Sequence, residues 1–147
     1  VVVDDTPELR VALRYACRRA KRTGGRVALL YVMEPPEPQH WAAIGDLMRE
    51  EARQQAEQIV AGLADQVVGT TGSPPILHFR EGGRRDQLLK LLAEDPSISI
   101  LVLAAGTGSE GPGPLVSTLV SKYSGTLKVP LTIVPGSLTD AQVDAIS

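Results

Sequence analysis

The chain has 147 residues and a formal net charge of −2. That length reads as one domain, large enough to bury a core without a disulfide or metal staple. The mild acidity argues against nucleic-acid and membrane-surface roles.

A lone cysteine, Cys17, excludes an internal disulfide and fits a reducing, cytoplasmic setting. No apolar run reaches the roughly 18 residues that span a bilayer, and no basic start leads into an apolar signal segment, so no membrane partner is expected. The first residue is a valine already inside a strand pattern, so the natural start is expected upstream. With one Phe, one Trp and three Tyr, the core must come from Val, Leu, Ile and Ala. That suits a parallel sheet covered on both faces.

In chain order, Val1–Val3 is a short first strand stopping at Asp4. A helix follows, with Thr6 as N-cap, Pro7 at its first position and Glu8 complementing the dipole. Its inward stripe is Leu9, Leu13, Ala16 with Cys17, and Ala20, and Gly24-Gly25 ends it. The second strand is Arg26–Val32. A proline-containing loop leads to a long helix, Trp41–Val68, whose buried stripe is predicted as Trp41, Ile44, Met48, Ala52, Ala56, Ile59, Leu63 and Val67.

Ile76–Arg80 is the third strand, and Gly82-Gly83 opens a helix carrying Leu88, Leu89, Leu91 and Leu92 until Asp95-Pro96 stops it. The fourth strand is Ile98–Ala104, followed by a glycine-rich loop and a short helix, Leu115–Ser124. The fifth strand is Val129–Val134, and Thr139-Asp-Ala-Gln142 reads as a capping box for a tail helix, Asp140–Ile146. The expected organisation is one α/β domain over residues 1–136 and a tail over 137–147. Regular alternation of strand and helix predicts a doubly wound, five-stranded parallel sheet with helices on both faces. Ligands in such sheets bind at the carboxyl ends of the strands.

Two strand ends carry the chemistry. The first delivers Asp4 and Asp5; the fourth empties into Ala105-Gly106-Thr-Gly108-Ser-Glu-Gly111-Pro-Gly113-Pro114. Glycines let successive N–H groups converge on an anion and let a ligand approach the main chain. Gly106-Thr-Gly108-Ser-Glu-Gly111 spells the dinucleotide pattern, but prolines 112 and 114 delay the helix that should open within it. The ribose-binding acid about twenty residues on is also absent. No lysine follows the glycines, which excludes a P-loop hydrolase. A phospho-accepting receiver would need an Asp ending the third strand, where Phe79-Arg80-Glu81 stands.

The remaining match runs nearly the whole length. Val1-Val-Val-Asp4 before an alanine-containing helix, Leu30-Tyr31-Val32 ending the second strand, the glycine loop, the short helix and a final Val129–Val134 strand together resemble the universal stress protein family. The resemblance implies strand order 3-2-1-4-5, the adenine nucleotide alpha hydrolase-like arrangement. It also implies an adenine nucleotide, ATP or AMP, held by Asp4, Val32 and a loop of the form G-x-x-G-x(9)-G-[ST]. On that pattern Ala105 and Gly108 stand at the paired glycines and Ser117-Thr118 at Gly-[ST]. Gly106, Gly111 and Gly113 complete the candidate set, with Ala105 and Ser117 departing from the family's glycines.

Electrostatics opposes a polyphosphate beside Asp4, Asp5 and Glu110. Two like charges about 4 Å apart repel by about 4 kcal/mol at an effective dielectric of about 20. Mg²⁺ held by the Asp pair would offset this. Asp5 reads equally as a solvated helix-start acid, and Ser117 and Thr118 either cap the short helix or meet phosphate. No nucleophile–base pair or metal cluster is legible, so no catalytic residue is assigned; slow Mg-dependent nucleotide hydrolysis is the most the Asp pair would support. The resemblance further implies a homodimer paired through Val129–Val134. The function expected is binding of an adenine nucleotide or another anion in a stress-response protein; the alternative is a dimeric interaction module with a vestigial pocket.

Overall fold

A computed structural model describes residues 1–34 and 45–147. The elements are α1 (Leu9–Thr23), β1 (Ala28–Met33), α2 (Asp46–Thr71), β2 (Ile76–Glu81), α3 (Arg84–Glu94), β3 (Leu101–Ala105), α4 (Pro114–Thr118) running into a π-helical turn (Leu119–Tyr123), β4 (Leu131–Pro135) and α5 (Asp140–Ile146). Trp41 and Ile44, expected in the long helix stripe, lie outside the described residues.

Alternation along the strands sorts side chains to two faces. Val3, Leu29, Val102 and Val134 join Leu13, Ala16 and Cys17 of α1, Val60 and Val67 of α2 and Val143 of α5. Val2, Leu30, Val32, Leu101 and Leu103 join Leu88, Leu91 and Leu92 of α3 with Val116 and Leu119. The strands thus form a middle layer between two layers of helix. Each fully buried Leu or Val stabilises this arrangement by about 1.5–3 kcal/mol before chain entropy is counted.

All the strand pairing is parallel. β1 pairs with β2 from Ala28↔Ile76 to Met33↔Glu81, and β3 with β4 from Leu101↔Leu131 to Ala105↔Pro135. The first expected strand shrinks to one bridge, Val2↔Leu30, closed by Val3 N–H to the Leu30 carbonyl at 2.8 Å and Leu30 N–H to the Val1 carbonyl at 2.9 Å. The expected single five-stranded sheet is therefore corrected: the ladders are two two-stranded sheets, β1-β2 and β3-β4. Among the described residues the one bridge of Val1–Val3 is to β1, and a cavity of about 370 Å³ at the amino ends of the strands counts Val1, Val2, Leu101 and Val102 in its lining.

Local chemistry explains the shifted boundaries. Asp95 Oδ1 accepts the amide and hydroxyl of Ser97 at 3.0 and 2.5 Å, committing that segment to a turn, so β3 starts at Leu101 and not at Ile98. Pro130 has no N–H to give, and β4 starts one residue after it. In α2, Ala56, Val60 and Val67 are buried, whereas Met48 and Ile59 are exposed. The 26-residue helix outruns the surface that it packs on, and its stripe is rotated one position from the expected Ile59. Among the described residues no helix is long and apolar enough to cross a membrane.

Candidate functional site

The carboxyl ends of the strands carry Asp4, Glu34, Glu81, Ala105 and Pro135. Asp4 is half-buried, with one of its two carboxylate oxygens engaged. Its Oδ1 accepts the Thr6 amide at 2.9 Å and the Thr6 hydroxyl at 2.6 Å. This corrects the expected helix start. Thr6 turns its hydroxyl to Asp4 and lies two residues before the N-cap; the helix begins at Leu9 behind Glu8, which occupies the N-cap position without a side-chain cap bond.

Glu8 is the residue that sequence reasoning missed. Its Oε1 lies 3.4 Å from the Thr107 hydroxyl, which donates toward it from the glycine loop. Its side chain also packs on Gly136, where an added Cβ would lie 2.7 Å from the Ala105 carbonyl and 2.8 Å from Glu8 Cβ. Gly136 N–H in turn donates to that carbonyl at 3.0 Å. The first turn of α1, the loop after β3 and the end of β4 thus converge on the Glu8 carboxylate. The only sequence signal was an acid at a helix start, a very common pattern.

The loop folds on itself. Gly106 N–H donates to the Pro112 carbonyl at 3.0 Å and Gly111 N–H to the Gly108 carbonyl at 3.2 Å. The glycines divide by cause. Gly111 and Gly113 have φ of +92° and +106°, which side chains rarely adopt, and a Cβ on Gly106 would press the Gly111 carbonyl at 3.1 Å. Gly108 has neither a positive φ nor a neighbour within 4 Å, so the loop's own geometry gives no reason for it. Among the described residues the amides of Thr107, Gly108, Ser109 and Glu110 make no hydrogen bond, and these four residues are exposed.

The other candidates sit as follows. Val32 is 5% exposed and packs in the α3-side core with Leu103 and Val116. Ala105 ends β3, half-buried, its carbonyl taken by Gly136. Ser117 and Thr118 do not cap the short helix, because Gly113 holds the N-cap position; the Ser117 amide donates to the Gly113 carbonyl at 3.0 Å. Ser117 is exposed and Thr118 half-buried, both on α4. The structure therefore brings the first turn of α1 against the glycine loop through Glu8 and Thr107. Among the described residues no hydrogen bond or ion pair joins Asp4 or Val32 to that loop. Among the described residues no group of three His, Cys, Asp or Glu side chains is arranged to hold a metal ion.

Other known proteins share this architecture. A family model described as "Universal stress protein family" matches residues 1–135. Among solved structures, the universal stress protein UspA from Lactobacillus plantarum is 20% identical, with a TM-score of 0.72 over 91% of this chain and 94% of that one. The hypothetical protein MJ0577 is 15% identical, with a TM-score of 0.75 over 94% of each chain. A universal stress protein family member from Burkholderia pseudomallei is 16% identical, with a TM-score of 0.64 over 92% of each. No curated protein sequence matches significantly. With the family model spanning all the strands and both sides of the crevice, the chain belongs to the Universal stress protein family.

Proposed function

We propose that this protein acts in a stress response by binding, taking an adenine nucleotide or another anion at the crevice between Asp4 and Gly106–Gly113. The observation that carries this reading is the approach of α1's first turn to the glycine loop at the carboxyl ends of the strands, through Glu8 and Thr107. Ligands of doubly wound sheets bind at that rim. The four unpaired loop amides, with the side-chain-free surface of Gly108, supply donors for an anion. In this reading Asp4 and Val32 flank the base, and Ala105, Gly106, Gly108, Gly111, Gly113, Ser117 and Thr118 line the phosphate side. Mg²⁺ enters with the nucleotide. The reading also takes Val1–Val3 as a strand between β1 and β3, which gives the five strands expected from the sequence, counted from Val1–Val3, the order 3-2-1-4-5, and it takes a cytoplasmic setting.

Efficient catalysis is not part of the proposal. Asp4 Oδ1 is engaged by Thr6, and the reading assigns no residue a catalytic role. Isothermal titration with AMP and with Mg-ATP tests the reading. Saturable binding below the millimolar range to either supports it, and no binding to both overturns it.

A second reading, a homodimeric interaction module joined through the final strand, has its own support. Ile133 is 37% exposed on β4, and Val120, on the π-helical turn, is also exposed. An apolar edge strand is a template for pairing with a second copy.

A further inference from the structure

We infer that Glu8 sets the ligand's charge: the crevice prefers an adenine nucleoside carrying at most one phosphate over a polyphosphate. The inference rests on the binding proposal above and names the ligand class for that same site. Glu8 is not a free surface acid. Gly136 packs against its Cβ and Cγ and the Thr107 hydroxyl lies 3.4 Å from Oε1, so the carboxylate stands beside the loop that would receive phosphates. A carboxylate fixed beside a phosphate site opposes each added phosphate charge, and the effect grows as water is excluded.

Among the described residues Glu8 has no ion pair with a lysine or arginine. Lys122 lies on the π-helical turn beyond α4, and Arg10, next along α1, is bound to Asp140 at 2.7 Å. Arg14 is likewise engaged by Asp144 at 2.8 Å. The two arginines of α1's first turns therefore face the tail helix and are spent there. Thr107 adds a second device. While its hydroxyl points to Glu8 it is withheld from a phosphate oxygen, whereas a neutral ribose asks nothing of it.

The test is the ratio of affinities for adenosine, AMP and magnesium-free ATP, measured by titration calorimetry on the native chain and on Glu8→Gln. Glutamine keeps the length that packs on Gly136, and Glu8→Ser serves as a second neutral variant; thermal melts check that both fold. Expected are tighter binding of adenosine or AMP than of ATP by the native chain, and a gain for ATP over adenosine of about tenfold in both variants. An unchanged ratio, or weaker ATP binding in Glu8→Gln, overturns the role of Glu8 while leaving the binding proposal standing. No binding of any of the three ligands by any of the proteins overturns both.

Discussion

Arg14 holds Asp144 in a two-pronged grip, Nε to Oδ1 and Nη2 to Oδ2, both at 2.8 Å, between residues 130 positions apart. Arg18 adds an ion pair to the same carboxylate at 3.0 Å, and Arg10 binds Asp140 at 2.7 Å. The arginines lie one turn apart on α1, and the aspartates occur at the same spacing on α5. The tail helix is thereby laid along α1, over the fully buried Val143. Its start is fixed by a capping box, with Gln142 N–H donating to the Thr139 hydroxyl at 3.2 Å and the Thr139 amide to Gln142 Oε1 at 2.9 Å.

This clasp predicts an acid-sensitive contribution to stability. Hydrogen bonding from Arg14, aided by the charges of Arg14 and Arg18, holds the Asp144 carboxyl below its ordinary value of 3.8, despite an opposing desolvation effect. A depressed carboxyl contributes fully above its unfolded value, and that contribution is lost as pH falls through the folded one. Melting temperatures of the native chain and Asp144→Asn should therefore differ by a constant amount above about pH 5 and converge below pH 3.8. A gap that stays constant down to strong acid would show that the clasp contributes nothing through ionisation. Because both partners are only half-buried, added salt should also narrow the gap.

Gly136→Ala should be destabilising for a local reason. The new methyl would meet the Ala105 carbonyl at 2.7 Å together with the Glu8 side chain, and one of those neighbours is backbone. Overpacking of this kind costs about 1–3 kcal/mol. Urea denaturation should show that loss with an unchanged slope. A neutral result would mean that α1's first turn can swing away from β4, and that Glu8 is not held.

Much of the layout is legible in the sequence because it is local. Short continuous apolar runs, glycines at helix ends such as Gly24 with φ +74°, and the Thr139/Gln142 box all signal within a few residues. The parts that were not legible depend on distant partners. Glu8 meets Thr107 across 99 positions, and no short pattern encodes that meeting. Thr6 carries a cap residue's chemistry, yet the helix starts two residues further on, behind Glu8, while Thr6 turns its hydroxyl to Asp4. Ser117 and Thr118 likewise suit a cap, but the φ of +106° at Gly113 turns the chain into the helix before reaching them. The α2 stripe went astray at Ile59 because a helix longer than its supporting surface is read from periodicity, while burial depends on what lies opposite.

Cys17 should be inert in the folded protein. Burial pushes its thiol up to about 11. The thiolate is the reactive form, so at mildly alkaline pH native Cys17 should label at least about a hundredfold more slowly than a free thiol. Labelling with a disulfide reagent, with and without denaturant, reads this directly. Equal rates would place Cys17 at the surface, contrary to its position in the α1 core stripe.

The exposed apolar surface near β4 bears on assembly. Ile133 and Val120 are both more than a third exposed, while Val134 beside Ile133 is buried in the core. Substituting Ile133 therefore alters the outer surface, and substituting Val134 would damage the fold. If two copies join through this strand, Ile133→Lys places like charges close together across the two-fold axis and removes apolar contact from the interface. Sedimentation equilibrium should then show a dimer for the native chain and a dissociation constant at least about tenfold weaker for Ile133→Lys. The far-ultraviolet circular dichroism of the two proteins should be the same. A native monomer, or a dimer indifferent to Ile133→Lys, would remove β4 as the joining strand and leave the crevice as the surface on which function must be sought.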